Sequence, residues 1–546
     1  MSKLRNLLLV TFAGIILVYF YMPVVSFGFL GFPVFLLVLI GLWITLNSPL
    51  SLASLNDQKD IQNLKIHKPG ILSIALLAVL FLYITLVPIL TSWALFRTND
   101  YRDLIGKIDT ESNLSNHMLP ISIDKIRVVD QALAQLLGDK VLGSQPALGS
   151  QVTLGAFNIQ KVNSDLYWVA PLLHSGFFKW QKNMNGTNGY VMVNACNERD
   201  VKLVQEINGK KIYIKYQSEA YFLDNLERYI YFKGYWHIGL TDYSFEIDDA
   251  GTPYWVVTKF KKTIGFSGDD ANGVVIVNAQ TGDINEYSIA NTPKWVDRIQ
   301  PGGFIETQLN DWGNYVKGFW NFSNENKLRI TEPVSMVYGE DNNAYWYTGL
   351  TSVGSDESTV GFALVNTRTK KAFWYKQSGA TENAAQNSAK GKVQEKNFSA
   401  SLPIPYNINN IPTYVMTLKD NGGLVKMYAM VAIEDYTVVG VGNTLREALM
   451  AYKNAFNQSG NKINTKSKTE KNIIKSVITR FNGDVKNGNT YYYFTLKNLP
   501  KIFIGSSQIS NDFPLTNIGD SVYITFDNDN QEVIDVSTFK NKNYRK

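Results

Sequence analysis

Gly273-Val274-Val275-Ile276-Val277-Asn278-Ala279-Gln280-Thr281-Gly282-Asp283 carries a strand and the turn that ends it, and the pattern recurs along the chain. The continuous apolar run over Val274, Val275, Ile276 and Val277 reads as a strand. Thr281-Gly282-Asp283 then reverses the chain, because Gly tolerates positive φ and Asp bonds to nearby backbone. Related strings stand at three other places. Gly189-Tyr190-Val191-Met192-Val193-Asn194 and Gly361-Phe362-Ala363-Leu364-Val365-Asn366 keep both the Gly and the Asn, while Met427-Tyr428-Ala429-Met430-Val431-Ala432 keeps only the apolar run. Ahead of each, an aromatic pair opens a strand: Tyr167-Trp168, Tyr254-Trp255, Tyr345-Trp346 and the weaker Thr413-Tyr414.

Helical spacing precedes each set. Residues 125–140 place Val128, Val129, Ala132, Leu133, Leu136 and Leu137 on one face. Residues 218–232, 305–320 and 381–389 give the other three predicted helices. A last helix over 444–456 opens on a Thr444-x-x-Glu447 capping box. Each unit reads as a helix followed by a three-stranded antiparallel meander, with Trp168, Trp255 and Trp346 anchoring helix to sheet.

Units of this kind, with a strand ending in Val277-Asn278-Ala279-x-Thr281-Gly282-Asp283, resemble PepSY-type modules. The resemblance covers short stretches between residues 125 and 456. It implies extracytoplasmic or membrane-attached modules that bind or restrain other proteins, peptidases among them. It carries over no catalytic residue.

Upstream, the chain changes character. Residues 6–56 and 70–96 contain no Asp, Glu, Lys or Arg. About 20 apolar residues cross a bilayer as a helix. Residues 7–22, 33–47 and 71–96 therefore form about three expected transmembrane spans, the second short enough to be re-entrant. Lys3 and Arg5 precede the first span, and Lys59, Lys65 and Lys68 lie between the second and third. The positive-inside rule then puts the N-terminus in the cytoplasm and everything after Phe96 outside it, with Arg97, Arg102 and Lys107 arguing mildly the other way.

Downstream, residues 457–475 carry five lysines against Glu470 and read as a basic linker. Five strand-like runs follow, over 476–481, 491–496, 501–505, 521–526 and 532–539. They predict a small barrel, OB-like in size. Tyr491, Tyr492 and Tyr493 point alternately in and out of such a barrel, so a stacking platform for single-stranded nucleic acid is the weaker reading.

The fold class expected is thus membrane-anchored α+β. Its parts are an anchor (1–97), α+β units over 98–217, 218–301, 302–378 and 379–456, the linker (457–475) and the barrel (476–546).

Chemistry is sparse. The 546 residues carry a formal net charge of +6, too little to signal a nucleic-acid protein. Cys196 is the single cysteine, so no intramolecular disulfide or thiolate cluster forms. It reads as a buried structural thiol without a base. His67, His117, His174 and His237 lack metal-ligand spacing. His174 and His237 read as hydrogen-bonded packing residues. Gly440-Val441-Gly442 reads as a turn before a helix cap rather than a phosphate loop. Asp269-Asp270, Asp248-Asp249 and Asp527-x-Asp529-x-Gln531 read as solvated turns rather than calcium loops. No catalytic, cofactor-binding or metal-ligating residue is assigned, and no cofactor.

The function expected is a non-catalytic scaffold that binds another protein, with lipid contacted by the N-terminal helices, nucleic acid disfavoured and oligomerisation open. An envelope hydrolase with a site between units is the alternative, and a cytoplasmic nucleic-acid or signalling module the second. Asn- and Lys-rich usage fits a bacterial or phage source.

Overall fold

The computed structural model describes residues 2–47, 70–111, 123–339, 343–354, 358–408, 411–459, 472–486, 489–507, 509–526 and 533–543. His67, His117, the lysines at 59, 65, 68, 462, 466, 468 and 471, and the Asp527–Gln531 run fall outside them.

Three apolar helices come first: α1 (Ser2–Tyr21), α2 (Gly31–Asn47) and α3 (Ile71–Ser92). By length and composition, α1 and α3 suffice to cross a membrane; α2 is a shorter apolar helix of 17 residues. The third run stops at Ser92 rather than 96, because Trp93 is extended and a new helix, Ala94–Asp103, begins after it. α2 contacts both of the others. At one end Asn6 is buried and donates to the Leu46 carbonyl (3.0 Å) and to Asn47 Oδ1 (3.2 Å). An amide at that depth needs partners, and the end of α2 supplies them.

Four mainly antiparallel sheets of four or more strands make the body among the described residues. The first is built around Asp165–His174, Tyr190–Asn194 and Val201–Val204, with Val152–Leu154 and Asn158–Val162 on its edge. The second runs in chain order through Gly239–Ile247, Pro253–Ile264, Ser267–Asn278 and Ile284–Ser288. The third centres on Ala344–Ser352, Gly361–Asn366 and Ala372–Tyr375. The fourth centres on Ile411–Lys419, Val425–Ala432 and Val439–Gly442.

The aromatic pairs fall in matching register. Trp168 lies opposite Val193, Trp255 opposite Val277, Trp346 opposite Val365 and Tyr414 opposite Val431. The residue after each of these strands accepts main-chain bonds in the same way. Ala195 accepts from Val128 and Val129, Ala279 from Lys215 and Tyr216, Thr367 from Ile299 and Gln300, and Ile433 from Ala380. All three indoles are buried and donate to a carbonyl in those incoming segments: Trp168 to Val129 (2.8 Å), Trp255 to Tyr216 (2.7 Å) and Trp346 to Gln300 (2.9 Å).

The helices differ in extent from the sequence reading. The first is Gln131–Gly143, starting late because Asp130 caps it through the Leu133 N–H. The second collapses to a 3₁₀ turn, one α turn (Leu226–Ile230) and a π turn, since Asn225 caps at the N-terminal side and Gly234 (φ 113°) breaks the far side. The third is Gly302–Asn314, and the fourth Glu382–Gly391 with Thr381 as cap.

One boundary moves. Ile108–Glu111, grouped by sequence with the first unit, pairs in parallel with Ala372–Tyr375 and so completes the third sheet.

The C-terminal five strands close in the order Asn472–Lys486, Asn489–Leu496, Leu499–Ser506, Val533–Asn541, Ser521–Phe526. One neighbouring pair is parallel, which fits the OB-like reading. The first strand starts at Asn472, so Lys475 belongs to the barrel rather than to a linker, and its ammonium lies over the Tyr523 ring. Phe494, Phe503, Phe513 and Phe539 fill the interior.

Candidate functional site

Several buried ionisable groups lie where the sheets meet. Asp297, on the segment leading from the second sheet to the third, accepts at Oδ2 from the Lys161 N–H (2.7 Å) and the Tyr338 hydroxyl (2.9 Å). Lys161 belongs to the first sheet and Tyr338 to the third, so one carboxylate joins three parts of the body. Burial raises its pKa, while those two bonds oppose the rise.

Arg127 extends the cluster. Its backbone N–H donates to the Tyr406 hydroxyl (3.0 Å), and Nη1 donates to the Met336 carbonyl (3.3 Å). The first unit is thereby tied to the fourth and third. Burial lowers the guanidinium's pKa and pushes the Tyr406 phenol up to about 12.

Glu246 sits nearby, 4% exposed. Its Oε1 accepts from Ser244 Oγ (2.7 Å), while Oε2 has no hydrogen-bond partner among the described residues. Burial pushes its pKa up to about 8, against the pull of Arg298 and of the Ser244 bond. The side chain is then mostly a neutral acid at pH 7. Arg298 is itself paired with Asp242.

Further polar links join the sheets and the segments between them. The Gln160 amide of the first sheet bonds both the N–H and the carbonyl of Ile247 in the second. Arg368 donates to the carbonyls of Thr292 (2.7 Å), Pro293 (2.8 Å) and Val296, fixing the segment that leads to Asp297. Lys419, 8% exposed at its side chain, pairs with Asp130 at 2.5 Å across the first and fourth units. The Tyr347 and Tyr414 hydroxyls meet at 2.9 Å across the third and fourth. Glu382 accepts from Gly349 N–H (3.0 Å) and Thr331 Oγ1 (2.6 Å) across the same seam. These groups are spent on one another and on backbone, which fixes how units meet.

A cavity of about 140 Å³ opens between the first and second sheets, lined by Gly155, Pro171, Ser218, Glu227, Tyr243 and Trp255. Small-molecule sites run to roughly 300–1,000 Å³. The walls are mainly apolar.

The residues singled out from sequence are scattered. Cys196 is half-buried rather than buried, with Sγ 3.3 Å from the Lys125 carbonyl. His174 is buried and its backbone N–H donates to Gln217 Oε1 (2.7 Å), while neither ring nitrogen has a hydrogen-bond partner among the described residues; burial lowers its pKa to about 4. His237 is exposed, edge-on to Trp236. Asp269 and Asp270 are not in a turn: they lie in Ser267–Asn278, paired with Lys262 and Lys370. Asp248 does form a turn, accepting from Ala250 and Thr252. Gly440 and Gly442 lie in a strand. A Cβ on Gly440 would stand 2.1 Å from the Tyr452 nitrogen, so these glycines exist to let the last helix approach the sheet. Among the described residues, no group of three or more His, Cys, Asp or Glu is arranged to hold a metal ion.

The barrel's second and third strands, the face that OB-folds use for ligands, are turned toward helix Leu445–Gln458. Met450 packs with Tyr491 and Ile504, and Tyr493 lies beside them. Arg446 pairs with Asp535. Tyr492 instead stacks inside on Phe481 and Phe513. The alternation read from the three tyrosines is therefore observed, and the outward faces of Tyr491 and Tyr493 meet the helix rather than solvent.

Sequence reasoning missed the Arg127–Asp297–Tyr338–Glu246 cluster. Its members share no spacing, and the only signal was Asp297 and Arg298 in a segment otherwise free of strand pattern. Comparison with models of known protein families and with curated proteins gives no match for this chain.

Proposed function

We propose that the chain is a membrane-anchored, non-catalytic scaffold whose β-rich body lies outside the cytoplasm and binds another protein. Its middle four units are copies of one PepSY-like module, and its barrel is a terminal adaptor. The observation that carries this reading is the shared direction of the helix ends. The end of α1, the α1–α2 connection and the end of α3 all meet the second unit. Tyr231 Oη donates to the Pro23 carbonyl (2.9 Å), the Val25 N–H to the Trp236 carbonyl (2.8 Å), and the Phe266 N–H to Ser92 Oγ (2.8 Å). Asn6 and Asn47 mark the opposite end. Three crossings, up, down and up, fit this arrangement, with α2 in contact with both of its neighbours.

The repeated main-chain bonds after Asn194, Asn278 and Asn366 support the module reading. The use of buried polar groups as links between units, rather than around an open cleft, supports a structural role.

Reporter fusions after Pro69, Arg97 and Lys546, with protease protection in intact cells, test the topology. The scaffold reading expects Pro69 inside, and Arg97 and Lys546 outside. Arg97 and Lys546 reporting from the cytoplasm overturns it.

A further inference from the structure

We infer that the second unit carries an aromatic collar that inserts into the interfacial layer of the same membrane its anchor crosses, so that the body lies on the lipid surface rather than hanging from a tether. This rests on the anchor reading above. The key contact is between Phe232 and Tyr19, whose rings stack at 6.4 Å. Tyr19 is two residues before the end of α1. A 20-residue helix rises about 30 Å, the thickness of the hydrocarbon core. A body residue level with Tyr19 is therefore at the depth of the bilayer interface and not above it.

The surroundings have the chemistry that such a layer selects. Phe222, Leu223, Phe232 and Trp236 are 58, 56, 48 and 45% exposed. Trp93 and Phe96, also exposed, stand where α3 ends, edge to face at 5.5 Å. Exposed apolar rings so grouped are costly in water and favoured at headgroup level. Arg228 binds the rim to the anchor: its guanidinium lies 4.3 Å over the Tyr19 ring, with Nε donating to the Tyr19 carbonyl (3.3 Å) and Nη1 to the Phe222 carbonyl (3.0 Å). Lys233, exposed beside Phe232, and Lys182, on the neighbouring Phe177–Lys182 helix, add positive charge. Aromatic rings among cations match lipid phosphates and acyl carbonyls.

The test uses the full chain in nanodiscs of mixed zwitterionic and anionic phospholipid. In a Cys196→Ser background, single cysteines replace Phe222, Trp236, Val79 and Asn421, and each is spin-labelled. Val79 lies in α3, and Asn421 in an exposed turn of the fourth sheet. Collision with oxygen, which concentrates in lipid, is compared with collision with a water-soluble nickel chelate. The collar predicts an oxygen-to-nickel ratio at 222 and 236 several-fold above that at 421, and approaching that at 79. Nickel access at 222 and 236 equal to that at 421, with 79 still shielded, overturns the collar and leaves the anchor standing. Shielding of 222 and 236 from both reagents signals a covering protein and also overturns it. Nickel access at 79 removes the anchor itself.

Discussion

Trp255 Nε1 donates to the Tyr216 carbonyl at 2.7 Å, across 39 positions of sequence, and Trp168 makes the same bond to Val129 over an identical separation. In each case the indole reaches from the first central strand to the segment that enters the unit. Ring area and the bond act together, since a buried carbonyl without its donor is costly.

Replacing Trp168, Trp255 or Trp346 with Ala is expected to cost about 3–5 kcal/mol. Thermal unfolding of each variant measures this. Melting temperatures and far-UV spectra unchanged in all three would remove the anchoring role and the module reading with it.

Gly440→Ala is expected to be strongly destabilising, because the new Cβ would meet the Tyr452 nitrogen at 2.1 Å and the Ala448 carbonyl at 2.5 Å, both backbone atoms that cannot swing aside. Gly303→Ala makes the contrast. Gly303 is exposed in a helix, with no atom of the described residues within 4 Å of a new Cβ. That change should stabilise by about 0.5–1 kcal/mol through helix propensity. Denaturant midpoints of the pair should move in opposite directions.

Asp130→Ala is expected to cost about 3–5 kcal/mol, since it strands the buried Lys419 ammonium as well as removing a helix cap. Lys419→Met should cost far less, because Asp130 is more open to water and keeps its capping bond to Leu133. The double variant Asp130→Ala/Lys419→Met should recover much of the loss, which a double-mutant cycle reads directly.

Glu246 gives the stability a pH dependence of definite sign. Its folded pKa, about 8, lies above the ordinary carboxyl value of 4.5. Between these values the folded chain holds a proton that the unfolded chain has released, so this group's contribution falls as pH rises from about 4.5 to 8 and is constant beyond. Ser244, Arg298, Asp297 and Asp242 face it, and only Arg298 and Ser244 favour the charged form. Glu246→Gln should remove that slope and melt higher than the parent at pH 8, while matching it more closely at pH 5. A parent and variant with parallel stability profiles over this range would refute the assignment.

Local features were legible in the sequence and distant ones were not. Thr444 caps its helix through the Glu447 N–H at 3.2 Å as the capping box predicts, although the Glu447 carboxylate reaches back to Asn443 rather than to Thr444. The strands after Gly189, Gly273 and Gly361 were visible because a continuous apolar run needs no knowledge of its partner. The short helical turns after Ser218 were not: helical spacing says nothing of where Asn225 caps or how Gly234 turns. Asp269 and Asp270 looked like a turn because Gly268 and Gly273 flank them, and only the opposing Lys262 and Lys370 reveal a strand. The central cluster was invisible for the same reason, since its members converge only once the sheets have met.

The parallel pairing of Ile108–Glu111 with Ala372–Tyr375, and the bond from Lys370 Nζ to the Leu104 carbonyl across 266 positions, carry a consequence for biogenesis. At about 5–20 residues per second, the segment leaving α3 waits tens of seconds after its own synthesis for its partner strand to exist. During that interval its edge is open to other strands, a recognised hazard for misassembly. The strand that follows the apolar helices is thus locked long after it is made, and the third sheet acts as a clasp that shuts only once the chain has reached Tyr375.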